Sequence, residues 1–306
     1  MANVQPFRIK TINDYHSIMG LPKPEHPLIT VINFEDVKYP LSKRSGGVIF
    51  DFYSVSLKRI SNPKVKYKYG QQSYDFDEGI MYFISPNQIF SVETEEEFKL
   101  SGWMLLVHPD FLWNTTLAKK IKQYEYFSYS VHEALHLSDK EETNVKSIMQ
   151  NIAQEYHSNI DKFSQDVIIA QLELLLTYAE RFYQRQFITR KISNHKILDS
   201  LENLLTEYFN SDALEKNGLP TVQYISETLN VSPNYLSNLL KILTGQSTQQ
   251  HIHDKLIEKA KEKLSTTHLS VSEIAYGLGF EHPQSFSKLF KTKTKLSPLE
   301  FRSSFN

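Results

Sequence analysis

The chain has no cysteine, which excludes disulfides and thiolate metal sites outright. It also lacks any apolar run approaching the roughly 20 residues of a membrane helix. Its first twenty residues show no basic start leading into an apolar core and a small-residue cleavage site, so no secretory signal is expected. Cytoplasmic residence without a membrane partner follows as the simplest expectation. A large excess of charge is missing too, since the formal net charge is −1. That total hides an asymmetry: from Pro220 to Asn306 there are ten Lys or Arg against seven Asp or Glu, so +3, and the remainder carries −4. A +3 segment is too weakly basic to coat nucleic acid indiscriminately. Any specific binding must rest on a few well-placed side chains.

What is present is a soluble globular composition, 40% hydrophobic and 23% charged over 306 residues, enough for two domains with separate cores. From Leu28 to Val107 the pattern is strand-like. Leu28–Phe34, Val48–Leu57, Val65–Tyr69, Ile80–Ile84, Gln88–Val92 and Phe98–Val107 are rich in β-branched and aromatic residues. Turn formers divide them, among them Pro40, Gly46-Gly47, Asn62-Pro63, Gly70 and Pro86-Asn87. Short strands without helical interludes predict an antiparallel, cupin-like jelly roll over residues 1–137.

Helices follow. Ser138-Asp139-Lys140-Glu141 reads as a capping box opening a helix to about Tyr156, with Val145, Ile148, Met149 and Ile152 on one face. A second helix, Ser164 to Gln186, carries Ile168, Leu172, Leu175, Leu176, Ala179 and Phe182 or Tyr183 in period, with Val167, Ile169 and Leu174 outside that stripe. A helix apolar on more than one stripe meets two partners, so this hairpin, residues 138–192, is expected to form a homodimer interface. Phe187 to Asn194 reads as a short polar connection to an all-α region, 193–306. That region opens with Ile197, Leu201, Leu204, Leu205 and Tyr208 on one helix and a stop at Lys216–Pro220.

The all-α region contains one pattern twice. Ile225, Leu229 and Val231 are matched 49 positions later by Ile274, Leu278 and Phe280, and Leu236–Lys241 is matched 50 later by Phe286–Lys291. Helix, turn and helix at this spacing form the unit that places its second helix in a DNA major groove. In the first copy Thr221 caps one helix, Asn230 makes the turn, and Ser232-Pro233 opens the next. Leu236, Leu239, Leu240 and Leu243 then face the core, while Asn234, Ser237, Asn238 and Lys241 hold the opposite face. In the second, Ser270 or Ser272 is the cap, Gly277 and Gly279 lie near the turn, and Phe286, Leu289 and Phe290 pack inward. Gln284, Ser285, Lys288 and Lys291 point outward. Asn and Gln pair with adenine, Lys donates to guanine, and Ser serves either base. Thr248 to Leu264 forms a joining helix, with Ile252, Leu256, Ile257, Ala260 and Leu264 inward, long enough to set the two units about one duplex turn apart. Polar residues opposite an apolar stripe occur on any surface helix. Their repetition is what makes these faces candidate reading surfaces.

Residues from about 196 to 302 resemble the DNA-binding domain of the AraC/XylS family of bacterial transcription regulators. The segments that carry the resemblance are Ser232–Ser237, Lys241 with Thr244–Ser247, Val271–Ala275 with Gly279-Phe280, and Gln284–Lys291 with Leu296–Pro298 and Phe301-Arg302. The resemblance implies base contacts from Asn234, Ser237, Asn238, Gln284, Ser285 and Lys288, a small-molecule effector in the N-terminal domain, and RNA polymerase as a partner if the protein activates. Ser226 stands where the family often has Ala, Asn238 where Arg is frequent and Lys295 where Gly is usual. Asn238 implies an adenine-leaning contact.

Rival readings come from enzymology. His132-Glu133-Ala134-Leu135-His136 is a literal H-E-x-x-H, the pattern of a zinc metallohydrolase, which needs one helix spanning both His. A metal-dependent cupin would need several His on neighbouring strands, and none lies between His26 and His108. No catalytic role, cofactor or metal is therefore expected. An aromatic shell of Tyr53, Tyr67, Tyr69, Tyr82 and Trp103 is the candidate effector site. His251 and His253, two apart on a helix, lie on different faces and are not joint metal ligands. A constitutive DNA binder whose sandwich only dimerises is the remaining alternative.

Overall fold

Alternating β-branched and aromatic residues build most of the strands before residue 110, and 3.6-residue periodicity builds most of the helices after it. The computed structural model describes residues 6–38, 47–60, 68–69, 72–73, 79–90, 100–130, 133–158, 161–189 and 191–304. The chain divides into two units, Met1–Gln186 and Phe187–Asn306.

In the first unit β1 (Phe7–Ile9), α1 (Ile12–Met19) and β2 (Ile29–Asn33) are followed by β3 (Val48–Phe50), β4 (Tyr53–Ile60), β5 (Lys68–Tyr69), β6 (Gln72–Ser73), β7 (Ile80–Ile84), β8 (Ile89–Phe90) and β9 (Leu100–Val107). Then come α2 (Leu117–Lys120), β10 (Leu135–His136), α3 (Asp139–Tyr156) and α4 (Ser164–Thr189). Five strands form an antiparallel sheet in the order β10-β7-β4-β9-β2, β1-β3-β8 form a second sheet, and β5 pairs β6. β1 runs parallel to β3, so the expectation of a purely antiparallel unit is corrected. Parallel pairing needs a long crossover, and α1 and β2 supply it.

The single strand expected from Val48 to Leu57 is two strands in different sheets. The break falls at Asp51-Phe52: Asp51 donates its N–H to the Ile9 carbonyl and pairs with Arg8 at 2.7 Å, while Phe52 stacks on Phe50 at 4.9 Å. Bending there lets one chain segment serve both layers.

Register assigns the faces of the large sheet, because directly opposed residues share a face. Tyr53, Val55 and Leu57 of β4 lie level with Val107, Leu105 and Trp103 of β9, and Val55 with Phe83 of β7. This face is covered by residues 125–128 and α4: Tyr53 meets Phe127 at 5.2 Å, Phe83 meets Tyr126 at 4.6 Å, and Tyr126 stacks on Tyr183 at 5.5 Å. The other face, with Ile84, Met104 and Leu106, packs with Ile9, Ile12, Tyr15, Phe50 and Phe52. α3 opens on Ser138, whose N–H donates to Glu141 at 2.9 Å. The Arg185 guanidinium forks onto both Glu141 oxygens and ties α3 to α4.

The second unit contains α5 (Lys191–Asn210), α6 (Ala213–Asn217), α7 (Val222–Thr228), α8 (Pro233–Thr244), α9 (Thr248–Thr266), α10 (Val271–Gly277), α11 (Pro283–Thr294) and α12 (Pro298–Ser303). The polar connection expected over Phe187–Asn194 is corrected: α4 continues to Thr189 and α5 begins at Lys191. Phe187 is buried, its ring 5.0 Å from Tyr235, and its carbonyl accepts from the Asn194 side chain at 2.6 Å. One core serves both repeats, bringing together Leu201, Leu205, Ile225, Leu236, Leu240, Ile252, Leu256, Ala260, Ile274, Phe286 and Phe290.

Candidate nucleic-acid interface

The two copies fold by the same local rules. Thr221 and Ser232 accept from the N–H groups of Tyr224 and Tyr235, at 3.1 and 3.3 Å, and Pro233 takes the first turn of α8. In the second copy Ser270 is the cap, closing a reciprocal box with Glu273. Asn230 and Gly279, 49 apart, hold the same left-handed turn position at φ 54° and 80°. Gly245 and Lys295, 50 apart, end α8 and α11 in the same conformation, at φ 76° and 67°.

Those caps set which way each helix faces. In α8, Leu236, Leu239 and Leu240 are buried and Leu243 half-buried, while Asn234 and Lys241 are exposed and Ser237 and Asn238 half-exposed. In α11, Phe286 and Phe290 are buried and Leu289 half-buried, while Gln284, Ser285, Lys288 and Lys291 are all exposed. Among the described residues, Lys241, Lys288 and Lys291 make no close ion pair, although the charge of Lys291 is felt by Glu300, whose pKa it helps to lower. Two lysines of α9 differ: Lys255 pairs with Glu258 and Lys259 with Glu262, each at 2.9 Å. They form an ordinary charged helix surface.

A positioning residue escaped the sequence reading. The Asp254 carboxylate, on α9, accepts from Gln246 beyond α8 at 2.8 Å and from Lys293 of α11 at 2.7 Å. It links both reading helices to the joining helix, and only folding brings these three positions together. Nearby, His251 shares a hydrogen bond with Thr244 and His253 with Gln249, and burial lowers the pKa of both imidazoles. Ser226 is buried and donates to the Val222 carbonyl at 2.7 Å, satisfying the hydroxyl that stands where the second copy has Ala275.

Other expected sites fare differently. The helix that H-E-x-x-H chemistry needs is not formed: His136 belongs to β10, opposite Ile80, and His132 lies outside the described residues. Glu133 accepts from the Ser130 N–H at 2.6 Å, and the His136 N–H donates to Gln186 at 2.8 Å. Among the described residues no group of His, Asp or Glu could hold a metal ion. The aromatic shell is split. Tyr53 and Trp103 lie on the α4-covered face of the large sheet and Tyr82 on the other; Tyr67 and the Tyr69 side chain lie outside the described residues. No described helix is long and apolar enough to cross a membrane.

Comparison with known proteins recovers the paired helix-turn-helix region. Residues 225–304 match a family described as a helix-turn-helix domain. The chain is 25% identical over 235 residues to the lactose operon transcription activator of Staphylococcus xylosus, covering 74% of this chain and 79% of the relative. It is 30% identical over 129 residues to the arabinose operon regulatory protein of Salmonella typhimurium, covering 42% and 45%. Among solved structures, the C-terminal domain of the two-component response regulator yesN from Fusobacterium nucleatum is 32% identical, covering 34% of this chain and 95% of that chain with a TM-score of 0.30. With its paired helix-turn-helix units and these relatives, the chain belongs to the AraC/XylS family of DNA-binding transcription regulators.

Proposed function

We propose that α8 and α11 read successive major grooves on one face of the duplex, with Asn234, Ser237, Asn238, Gln284, Ser285 and Lys288 at base edges and Lys241 and Lys291 beside them. The observation that carries this is the pair of outward polar faces, 50 residues apart in register and opposite a single shared core. Selection from random duplexes tests it. An A-preferring position is expected opposite Asn238, and Gln284→Ala should relax one position of the second half-site and weaken binding by about 1–3 kcal/mol. An invariant guanine lost in Asn238→Ala would contradict the adenine contact.

Residues 1–137 act in this reading as a jelly-roll, cupin-like sensor for a small-molecule effector, residues 138–192 as the dimerisation hairpin and 193–306 as the DNA-binding domain. Relatives named for the lactose, raffinose and arabinose operons support control by a metabolite. The homodimer rests on α4. Phe163 just before it, then Val167, Ala170 and Leu174, are exposed at i, i+4, i+7 and i+11, the spacing of a coiled-coil seam. A second copy of the same helix fits that seam. The protein works in the cytoplasm, engages RNA polymerase if it activates, and performs no catalysis.

A further inference from the structure

The two reading helices are not held alike. Leu236, Leu239, Leu240 and Leu243 form the apolar stripe of α8, and 50 residues on the same places in α11 carry Phe286, Leu289, Phe290 and Lys293. The fourth place has turned from apolar to charged. α11 also starts with less support, since His282 makes no side-chain cap bond where Ser232 caps α8. Phe286 and Phe290 seat its first and middle turns in the shared core, which leaves the last turn to a contact of another kind.

That contact is the Lys293 ammonium, which donates to Oδ1 of Asp254 on α9 at 2.7 Å. Oδ2 of the same carboxylate accepts from Gln246, in the turn that ends α8, at 2.8 Å. One oxygen thus holds the last turn of α11 and the other the exit of α8. His253 senses the pair: burial and then the Lys293 charge lower its pKa, and Asp254 opposes them. An exposed ion pair contributes little to stability. Apolar packing is non-directional, however, whereas a carboxylate shared by two donors constrains direction as well as distance.

We propose that Asp254 is a positioning residue that fixes α11 relative to α8 and so selects the distance between half-sites that the protein accepts. This rests on the reading that both helices enter successive major grooves. One added base pair moves the second half-site by ~3.4 Å and rotates it by about a tenth of a turn, further than a tethered helix follows. Released from Asp254, α11 keeps its outward residues and its own base preferences but tolerates altered spacing.

Titration of the full chain with four duplexes tests the proposal: half-sites at the selected separation, one base pair closer, one base pair further apart, and with the second half-site scrambled. The unmodified protein should prefer the selected separation over either neighbour by about tenfold. Asp254→Ala and Lys293→Met should each cut that preference about three- to fivefold, and the double variant should cut it no further, because both changes remove one interaction. Thermal melting should show all three variants folded. Spacing preference undiminished in Asp254→Ala overturns the proposal. A loss of affinity equal on all four duplexes also overturns it, since that marks a phosphate contact or a weakened fold instead of a lost alignment. The premise fails differently. An unmodified protein indifferent both to spacing and to scrambling of the second half-site sinks the two-groove reading, whereas spacing preference shared equally by the unmodified protein and its variants sinks the role of Asp254 alone.

Discussion

Gly277 and Gly279 sit two residues apart in the second turn and have opposite roles. Gly279 adopts φ 80°, and a Cβ there would meet the Gly218 Cα at 2.9 Å, so backbone, not a flexible side chain, would have to move. Gly277 has nothing within 4 Å of its missing Cβ and ends α10. Gly279→Ala is therefore expected to destabilise by about 2 kcal/mol or more, and Gly277→Ala to stabilise by roughly 0.5–1 kcal/mol. Urea melts of the two variants check this, and a same-sign result would refute the assignment. Lys295 supplies a second residue-scale prediction. It holds the left-handed position that Gly245 holds in the first copy, so Lys295→Gly should add roughly 0.5–1 kcal/mol. The same residues show what could be read beforehand. That Lys295 replaces a usual Gly was visible in the sequence. The approach of Gly279 to Gly218 was not, because it joins positions 61 residues apart.

Elements follow the sequence closely where their signals are local. The periodicity of α3, α4, α8, α9 and α11, with the caps at Ser138, Thr221 and Ser232, needed no tertiary information. α1 passed unread although its signal was equally local: Thr11 and Asp14 form a reciprocal capping box and Gly20 closes the helix. α4 marks the limit of periodicity. Ile169, read as lying off the buried stripe, is 7% exposed, whereas Val167 and Leu174 are 42% and 44% exposed. Which of two stripes is covered depends on neighbours that the helix does not encode. If a second copy covers the exposed one, Val167→Lys with Leu174→Lys should convert dimer to monomer in sedimentation equilibrium while leaving the far-ultraviolet dichroism intact. A variant still dimeric would place the interface elsewhere.

For the whole molecule the clearest expectation concerns acid. Burial lowers the pKa of His16, His26, His251 and His253 below the ordinary 6.5. The unfolded chain then binds more protons than the folded one as pH falls below that value. Stability from these groups is fully present above pH ~6.5 and is lost as pH drops through the lowered folded values. Tm should fall between about pH 7 and 5, and His251→Gln with His253→Gln should flatten the slope. A level profile in the unmodified protein would contradict the assignment. The sequence by itself determined the repeated helix-turn-helix units, their outward residues and the β-then-α order, because helix periodicity and capping act over three or four neighbouring residues. Tertiary structure alone decided the parallel β1–β3 pair, the division of the aromatic shell between two sheet faces and the Asp254 link. Each of these depends on strand register or on contacts between segments distant in the chain, which local pattern leaves open.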